Sequence, residues 1–197
     1  METASLGIIA PMRPAIFLDR DGVVIENRAE YVRAWRDVAF IPGALEALAR
    51  LSKTGFAIVL VTNQSAVGRG VISAALAEEI QRGIEAQIHA AGGRVDDTLM
   101  CPHAPWENCP CRKPRPGLIL QAAEKHALDL KQSYMVGDAL TDVQAGRSAG
   151  VGKSILVLTG RGKDQILLAE AAEMAPLDVF PRLSDFVDHL LLVSDAE

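Results

Sequence analysis

Along the chain, short runs rich in β-branched and other apolar residues alternate with segments whose apolar positions recur every three or four residues. The runs AIFLD (15–19), AIVLVT (57–62), TLMC (98–101), YMVGD (134–138) and SILVL (154–158) predict strands. Most are apolar on both faces, the pattern of strands covered by helices on each side. Between them, Leu45, Leu48 and Leu51 form a helical stripe ending at Gly55. Ile80, Ile84 and Ile88 form another, after a Ser73 cap and before Gly92 and Gly93. The segment LSDFVDHLLLV reads as a final amphipathic helix in which His189 is a surface or packing residue. Alternation of strand and helix predicts an α/β fold: a Rossmann-like open, mostly parallel sheet with helices on both faces. No repeat, low-complexity tract or Gly/Ser-rich linker divides residues 1–197, which predict one domain with residues 1–13 as a flexible lead-in.

Composition narrows the function. At 197 residues and 49% hydrophobic content, the chain can bury a sizeable core without disulfides. A formal net charge of -5 supplies no basic block to displace counterions from nucleic acid. The N-terminal METASLGIIAPMRP lacks the positive start of a secretory signal, and its apolar run is too short for a membrane span. The expectation is a cytoplasmic monomer acting on a small molecule, with neither nucleic acid nor membrane as partner.

In open α/β sheets ligands bind at the carboxyl ends of the strands, so the residues just after each apolar run carry the chemistry. Asp19 and Asp21 follow the first run, with Gly22 behind them. Thr62, Asn63, Gln64 and Ser65 follow the second; Lys113 stands in CRKP; Asp138 and Asp142 follow YMVG. Taken singly, each suits a solvated turn or a helix cap. Together, carboxylates converging on one edge repel unless a cation neutralises them, and hard oxygen ligands suit Mg²⁺. A lysine and a hydroxyl beside such a cluster are what a bound phosphoryl group requires.

All three cysteines lie between Cys101 and Cys111. The spacing C-x-H-x5-C-x-C offers Cys101, His103, Cys109 and Cys111, a Cys₃His set sized for a closed tetrahedral zinc. The competing readings are a redox pair or idle surface thiols. The loop 101–111 is Pro-rich and poor in apolar residues, so metal binding would supply its ordering. Because Cys111 precedes Arg112 and Lys113 directly, a fixed Cys111 would set where both cations point.

The ordered motifs DRDGV, VTNQS, RKP and GDALTD resemble those of the haloacid dehalogenase-like phosphatases, over nearly the whole chain, from Ala15 to Leu158. The resemblance implies Asp19 as nucleophile, forming an aspartyl-phosphate, and Asp21 as the acid that protonates the leaving oxygen and then activates water. It implies Thr62 and Lys113 on the transferring phosphoryl oxygens, and Mg²⁺ between Asp19, the Asp21 backbone carbonyl and Asp138. Asp142 is then either a residue behind the metal ligands or the acid of a helix's first turn. A zinc loop before CRKP narrows the resemblance to a subgroup acting on heptose bisphosphate or histidinol phosphate. The short intervals Asp21–Thr62 and Thr62–Lys113 leave no room for a large cap domain. Substrate choice then falls to the loops ENRAEYVRAW and SAVGRG and to the zinc loop, with Asn63, Gln64, Ser65, Arg69 and Arg112 as binding residues.

The leading expectation is removal of the C7 phosphate of a heptose bisphosphate for surface-glycan synthesis, since Arg69 and Arg112 favour a second phosphate over the amine of histidinol phosphate. A zinc-ordered module that captures phosphorylated partners without turnover would need no nucleophile and acid pair. A nucleic-acid 3′-phosphatase conflicts with the acidic balance.

Overall fold

The computed structural model describes residues 12–194. Residues 1–11 of the expected flexible lead-in lie outside the described residues, and Arg13 already opens the first strand. Six parallel strands, β1 (Arg13–Leu18), β2 (Ala57–Asn63), β3 (Asp97–Cys101), β4 (Leu128–Gly137), β5 (Lys153–Val157) and β6 (Asp178–Phe180), form one sheet in the order β3-β2-β1-β4-β5-β6. All five expected strands are present. The sixth, three residues long at the sheet's edge, is too short to leave a pattern in DVF.

Helices α1 (Ala44–Leu51), α2 (Ser65–Gly68), α3 (Ala74–Ala90), α4 (Gly117–His126), α5 (Leu140–Ala149), α6 (Gly162–Gln165), α7 (Ala169–Glu173) and α8 (Leu183–Ser194) fill the intervals. The two-faced strands explain the layers. On one face Ile16, Leu18, Ile58 and Leu60 pack with Leu48 and Leu51 of α1, Ile84 and Ile88 of α3 and Phe186 and Leu190 of α8. On the other, Phe17, Val59, Val61 and Met135 pack with Leu118, Ile119 and Ala122 of α4 and Ala145 of α5. As expected, the Ser73 hydroxyl caps α3 by accepting from the Leu76 N–H at 3.1 Å. His189 packs its ring against Phe180.

The chain runs outward from β1 through β2 to β3, then returns to β4 on the other side of β1. That reversal is the topological switch point where α/β sheets open a crevice. β1 and β4 are neighbours there, in register through Leu18 and Val136, and the Asp19 N–H donates to the Val136 carbonyl at 2.9 Å. Between Asp21 and α1 the chain makes turns, isolated bridges pairing Ile25 with Asp21 and Phe40, and one 3₁₀ turn at Trp35–Asp37. No cap domain stands over the crevice among the described residues.

Candidate active site

Strand ends meet at a cavity of about 450 Å³ whose walls include Asp19, Asp21, Thr62, Asn63, Gln64, Ser65, Arg112, Lys113 and Asp142. Asp19 is buried at the end of β1. The Lys113 ammonium lies 2.8 Å from Asp19 Oδ1 and 2.7 Å from Asp142 Oδ1, and donates to the Val61 carbonyl at 2.7 Å. Three acceptors thus take its three donors. Burial by itself would depress the Lys113 ammonium, but the carboxylates of Asp142 and Asp19 hold it above its ordinary value.

Burial pushes the Asp19 carboxyl up to about 7; Lys113 opposes this, while the nearby Asp142, Asp138 and Asp21 add to it. A carboxyl in that state is fully ionised at neutral pH only with further positive charge beside it.

The cluster offers a place for it. One carboxylate oxygen each from Asp19, Asp138 and Asp142 lie within 4.8 Å of one another, all three residues buried. The donor set is hard oxygen, and burial disfavours its accumulated charge, so the residues fit Mg²⁺. Both oxygens of Asp142 are engaged. Its Oδ1 takes Lys113, and its Oδ2 accepts from the Ala139 N–H at 3.0 Å, closing the first turn of α5. It is therefore both the acid of a helix's first turn and the partner of Lys113. Asp138 contacts Arg161 and the Asn27 amide. A Cβ on Gly22 or Gly160 would overlap Asp138 Oδ2, so both positions must be glycine for the backbone to close around that carboxylate.

The Asp21 side chain lies outside this cluster and faces the cavity, 22% exposed. Arg20, one of the largest fully buried side chains, holds it at 3.0 Å through Nε, and Gln64 Nε2 donates to it at 2.8 Å. The same Gln64 nitrogen donates to the Thr62 hydroxyl at 2.9 Å. Asn63 brackets the Lys113 backbone. Ser65 is buried at the start of α2 and reaches the wall.

Cys101, His103, Cys109 and Cys111 converge. Cys101 Sγ is 3.5 Å from Cys109 Sγ and 3.6 Å from His103 Nδ1; Cys111 Sγ is 3.4 Å from Cys109 Sγ and 3.3 Å from His103 Nδ1. The edges of a Cys₃His tetrahedron around zinc would be roughly 3.5 Å for sulfur–nitrogen and roughly 3.8 Å for sulfur–sulfur, so the four groups stand within a few tenths of an ångström of that spacing. The cysteines are free thiols, and burial, helped by hydrogen bonding with Cys111, pushes the Cys101 thiol up. Together the four side chains could hold a zinc ion.

The loop also turns its last residues toward the cavity. Arg112 lines the cavity and its guanidinium reaches the His103 carbonyl at 3.5 Å, while Arg115 braces the loop through the Cys109 carbonyl at 2.6 Å. Arg69 lies elsewhere: its guanidinium sits 4.8 Å above the Trp106 ring, and it is not among the cavity walls. From ENRAEYVRAW, Asn27, Arg28, Ala29, Tyr31 and Val32 reach the cavity. Tyr31 takes a left-handed φ of 67°, a turn that no side-chain pattern announces. Arg161, beyond β5, also lines the cavity and went unnoticed in the sequence, because TGRG carries neither an apolar pattern nor a carboxylate.

Residues 110–186 match a HAD-hydrolase-like family model. The chain is 36% identical over 150 residues to the D-glycero-beta-D-manno-heptose-1,7-bisphosphate 7-phosphatase of Pseudomonas aeruginosa, covering 76% of this chain and 84% of the relative. It is 40% identical over 155 residues to the enzyme of that name from Escherichia coli K12, covering 75% and 81%. The D,D-heptose 1,7-bisphosphate phosphatase from B. bronchiseptica, crystallised with magnesium and phosphate, superposes with a TM-score of 0.83 at 35% identity, over 91% of this chain and 98% of that one.

Proposed function

The chain belongs to the haloacid dehalogenase-like phosphatases, and from that membership we propose that it removes the C7 phosphate of D-glycero-β-D-manno-heptose 1,7-bisphosphate. The observation that carries the reading is a buried carboxylate, Asp19, within 2.8 Å of a buried lysine at the floor of a cavity ringed by further cations, in a chain whose relatives bear that activity's name. Asp19 attacks phosphorus in line with the C7 oxygen. The phosphorus–oxygen bond breaks as Asp21 gives that oxygen a proton, leaving an aspartyl-phosphate on Asp19. Asp21, now a carboxylate, takes a proton from water, whose oxygen attacks phosphorus, releases inorganic phosphate and restores Asp19.

As Asp19 is committed to phosphorus, Lys113 turns the donor it gave that carboxylate to a phosphoryl oxygen, and with the Thr62 hydroxyl holds the transferring group through both steps. Gln64 keeps Asp21 and Thr62 in fixed relation, and Asn63 sets the backbone of Lys113. Mg²⁺, held by Asp19, the Asp21 backbone carbonyl and Asp138, would neutralise charge on the transferring group. Ser65 and Arg112 bind the sugar and its remaining phosphate. Arg69, stacked on Trp106, ties the end of α2 to the loop 101–111. Zinc on Cys101, His103, Cys109 and Cys111 is structural, and the enzyme is a cytoplasmic monomer. No helix among the described residues is long and apolar enough to cross a membrane.

The test is phosphate release followed by ³¹P NMR with Mg²⁺ present, on the β and α anomers of the heptose bisphosphate and on histidinol phosphate. Preferential loss of the C7 phosphate from the β anomer supports the reading. Preferential hydrolysis of histidinol phosphate overturns it.

A further inference from the structure

Cations in the cavity differ in how firmly they are engaged. Lys113 is 3% exposed and shares its charge between two buried carboxylates. Arg161 pairs with a carboxylate just as fully, yet its own side chain is 55% exposed. Its Nη2 donates to Asp138 Oδ1 at 3.0 Å and its Nε to Asp138 Oδ2 at 3.3 Å, while its backbone N–H donates to Oδ2 at 2.8 Å. Asp138 itself is fully buried.

The backbone beside Arg161 is anchored. Thr159 donates its hydroxyl to the Gly22 carbonyl at 2.6 Å, and Gly160, at a φ of 54°, presses against Asp138 and Asn27. The loop therefore stays against the catalytic turn whatever the side chain does. The Arg161 side chain, by contrast, lies on the solvent side of Asp138 and on the cavity wall, with a flexible stem.

A buried carboxylate keeps a cation close, and a guanidinium supplies one charge where Mg²⁺ would supply two. Both on the same carboxylate would crowd like charges. The partner on the exposed side is the one that can leave, because water and the cavity receive it. A phosphate dianion in the cavity offers that guanidinium a bidentate acceptor of higher charge.

We propose that Arg161 is an exchange residue: its guanidinium neutralises Asp138 while the metal is absent, and turns into the cavity to bind the substrate's second phosphate once Mg²⁺ takes that carboxylate. This rests on the bisphosphate reading above and deepens it. Metal and bisphosphate then favour each other's binding through one side chain, since each releases or occupies the guanidinium that the other displaces or needs.

Calorimetric titration of the zinc-loaded, Mg²⁺-free enzyme with Mg²⁺ alone tests the first half. Arg161→Gln should bind Mg²⁺ about tenfold more tightly than wild type, because the competing cation is gone. Arg161→Lys, which keeps the charge without the fork, should lie between them. The second half is read from kcat/KM: Arg161→Gln should lose about tenfold more on heptose 1,7-bisphosphate than on p-nitrophenyl phosphate, through KM. Unchanged or weaker Mg²⁺ binding in Arg161→Gln overturns the exchange, and so does equal loss on both esters. If the wild type leaves heptose bisphosphate intact while hydrolysing the aryl ester, the substrate reading falls. The Mg²⁺ titration, which needs no substrate, then still decides whether Arg161 competes for Asp138.

Discussion

Asn63 and Lys113 are joined by a reciprocal pair of hydrogen bonds: the Asn63 side-chain nitrogen donates to the Lys113 carbonyl at 3.1 Å, and the Lys113 N–H donates to Asn63 Oδ1 at 3.1 Å. A side-chain amide thereby pairs with a loop backbone as a neighbouring strand would. The end of β2 thus fixes where the loop leaving the Cys₃His cluster delivers its ammonium group.

Replacing Asn63 by Ala removes both bonds without touching the ion pairs of Lys113. The backbone then loses its anchor near the phosphoryl group, and small displacements there are costly in rate, so kcat should fall about ten- to a hundredfold. Thermal melting should change little. An Asn63→Ala enzyme with wild-type kcat would show that the zinc loop alone positions Lys113.

Lys113→Met should be poorly folded as well as inactive. It leaves Asp19 and Asp142, 4% and 1% exposed, without their shared cation. Breaking one partner out of a buried ion pair costs about 3–5 kcal/mol. Adding Asp142→Asn should restore part of that loss, measured by urea unfolding without Mg²⁺, while activity stays absent. If the double variant is no more stable than Lys113→Met, the two residues do not share their charge as the geometry indicates.

Asp19 gives the metal-free protein a pH signature opposite to ordinary acid denaturation. Its folded-state pKa, pushed up to about 7 chiefly by burial, exceeds the unfolded value of about 3.9. Between the two, the folded chain keeps a proton that the unfolded chain has released. Its contribution to stability therefore falls as pH rises from about 4 to about 7. Asp19→Asn lacks the proton, so in Mg²⁺-free buffer the variant's stability relative to wild type should increase across that window. Parallel urea-unfolding curves at pH 5 and 7.5 for the two proteins would remove Asp19 as the source.

One zinc per chain is expected by elemental analysis, with the three thiols slow to react until the metal is removed. Cys109→Ser should weaken the site, loosen Arg112 and Lys113, and lower activity well before it lowers the melting temperature. The reason lies in the packing: Cys109 sits with Cys101 and Cys111 at one edge of the apolar cluster, whose bulk is supplied by Phe17, Val59, Val61, Leu118, Ile119 and Met135. Rapidly titrating thiols in freshly purified, zinc-free, active enzyme would count against this assignment.

The architecture was legible in the residue pattern because a strand covered on both faces must be apolar on both, and a helix on a sheet must show its stripe. Asp19, Thr62 and Asp138 were legible for a related reason: each stands one step beyond an apolar run, where a parallel sheet exposes its ends to ligand. The convergence of Cys101, His103, Cys109 and Cys111 was written in spacing alone. What the linear chain did not carry was the pairing of distant groups. That Asn63 grips a backbone, that Asp142 serves a helix turn and Lys113 at once, that Arg69 stacks on Trp106, and that Arg161 reaches Asp138 all depend on which loops the strand order brings together. Local pattern reports burial, which each residue feels through its immediate neighbours. The partner of a charged side chain is chosen by the strand order β3-β2-β1-β4-β5-β6, which sets the carboxyl end of β1 beside that of β4 and brings the loop after β5 against both.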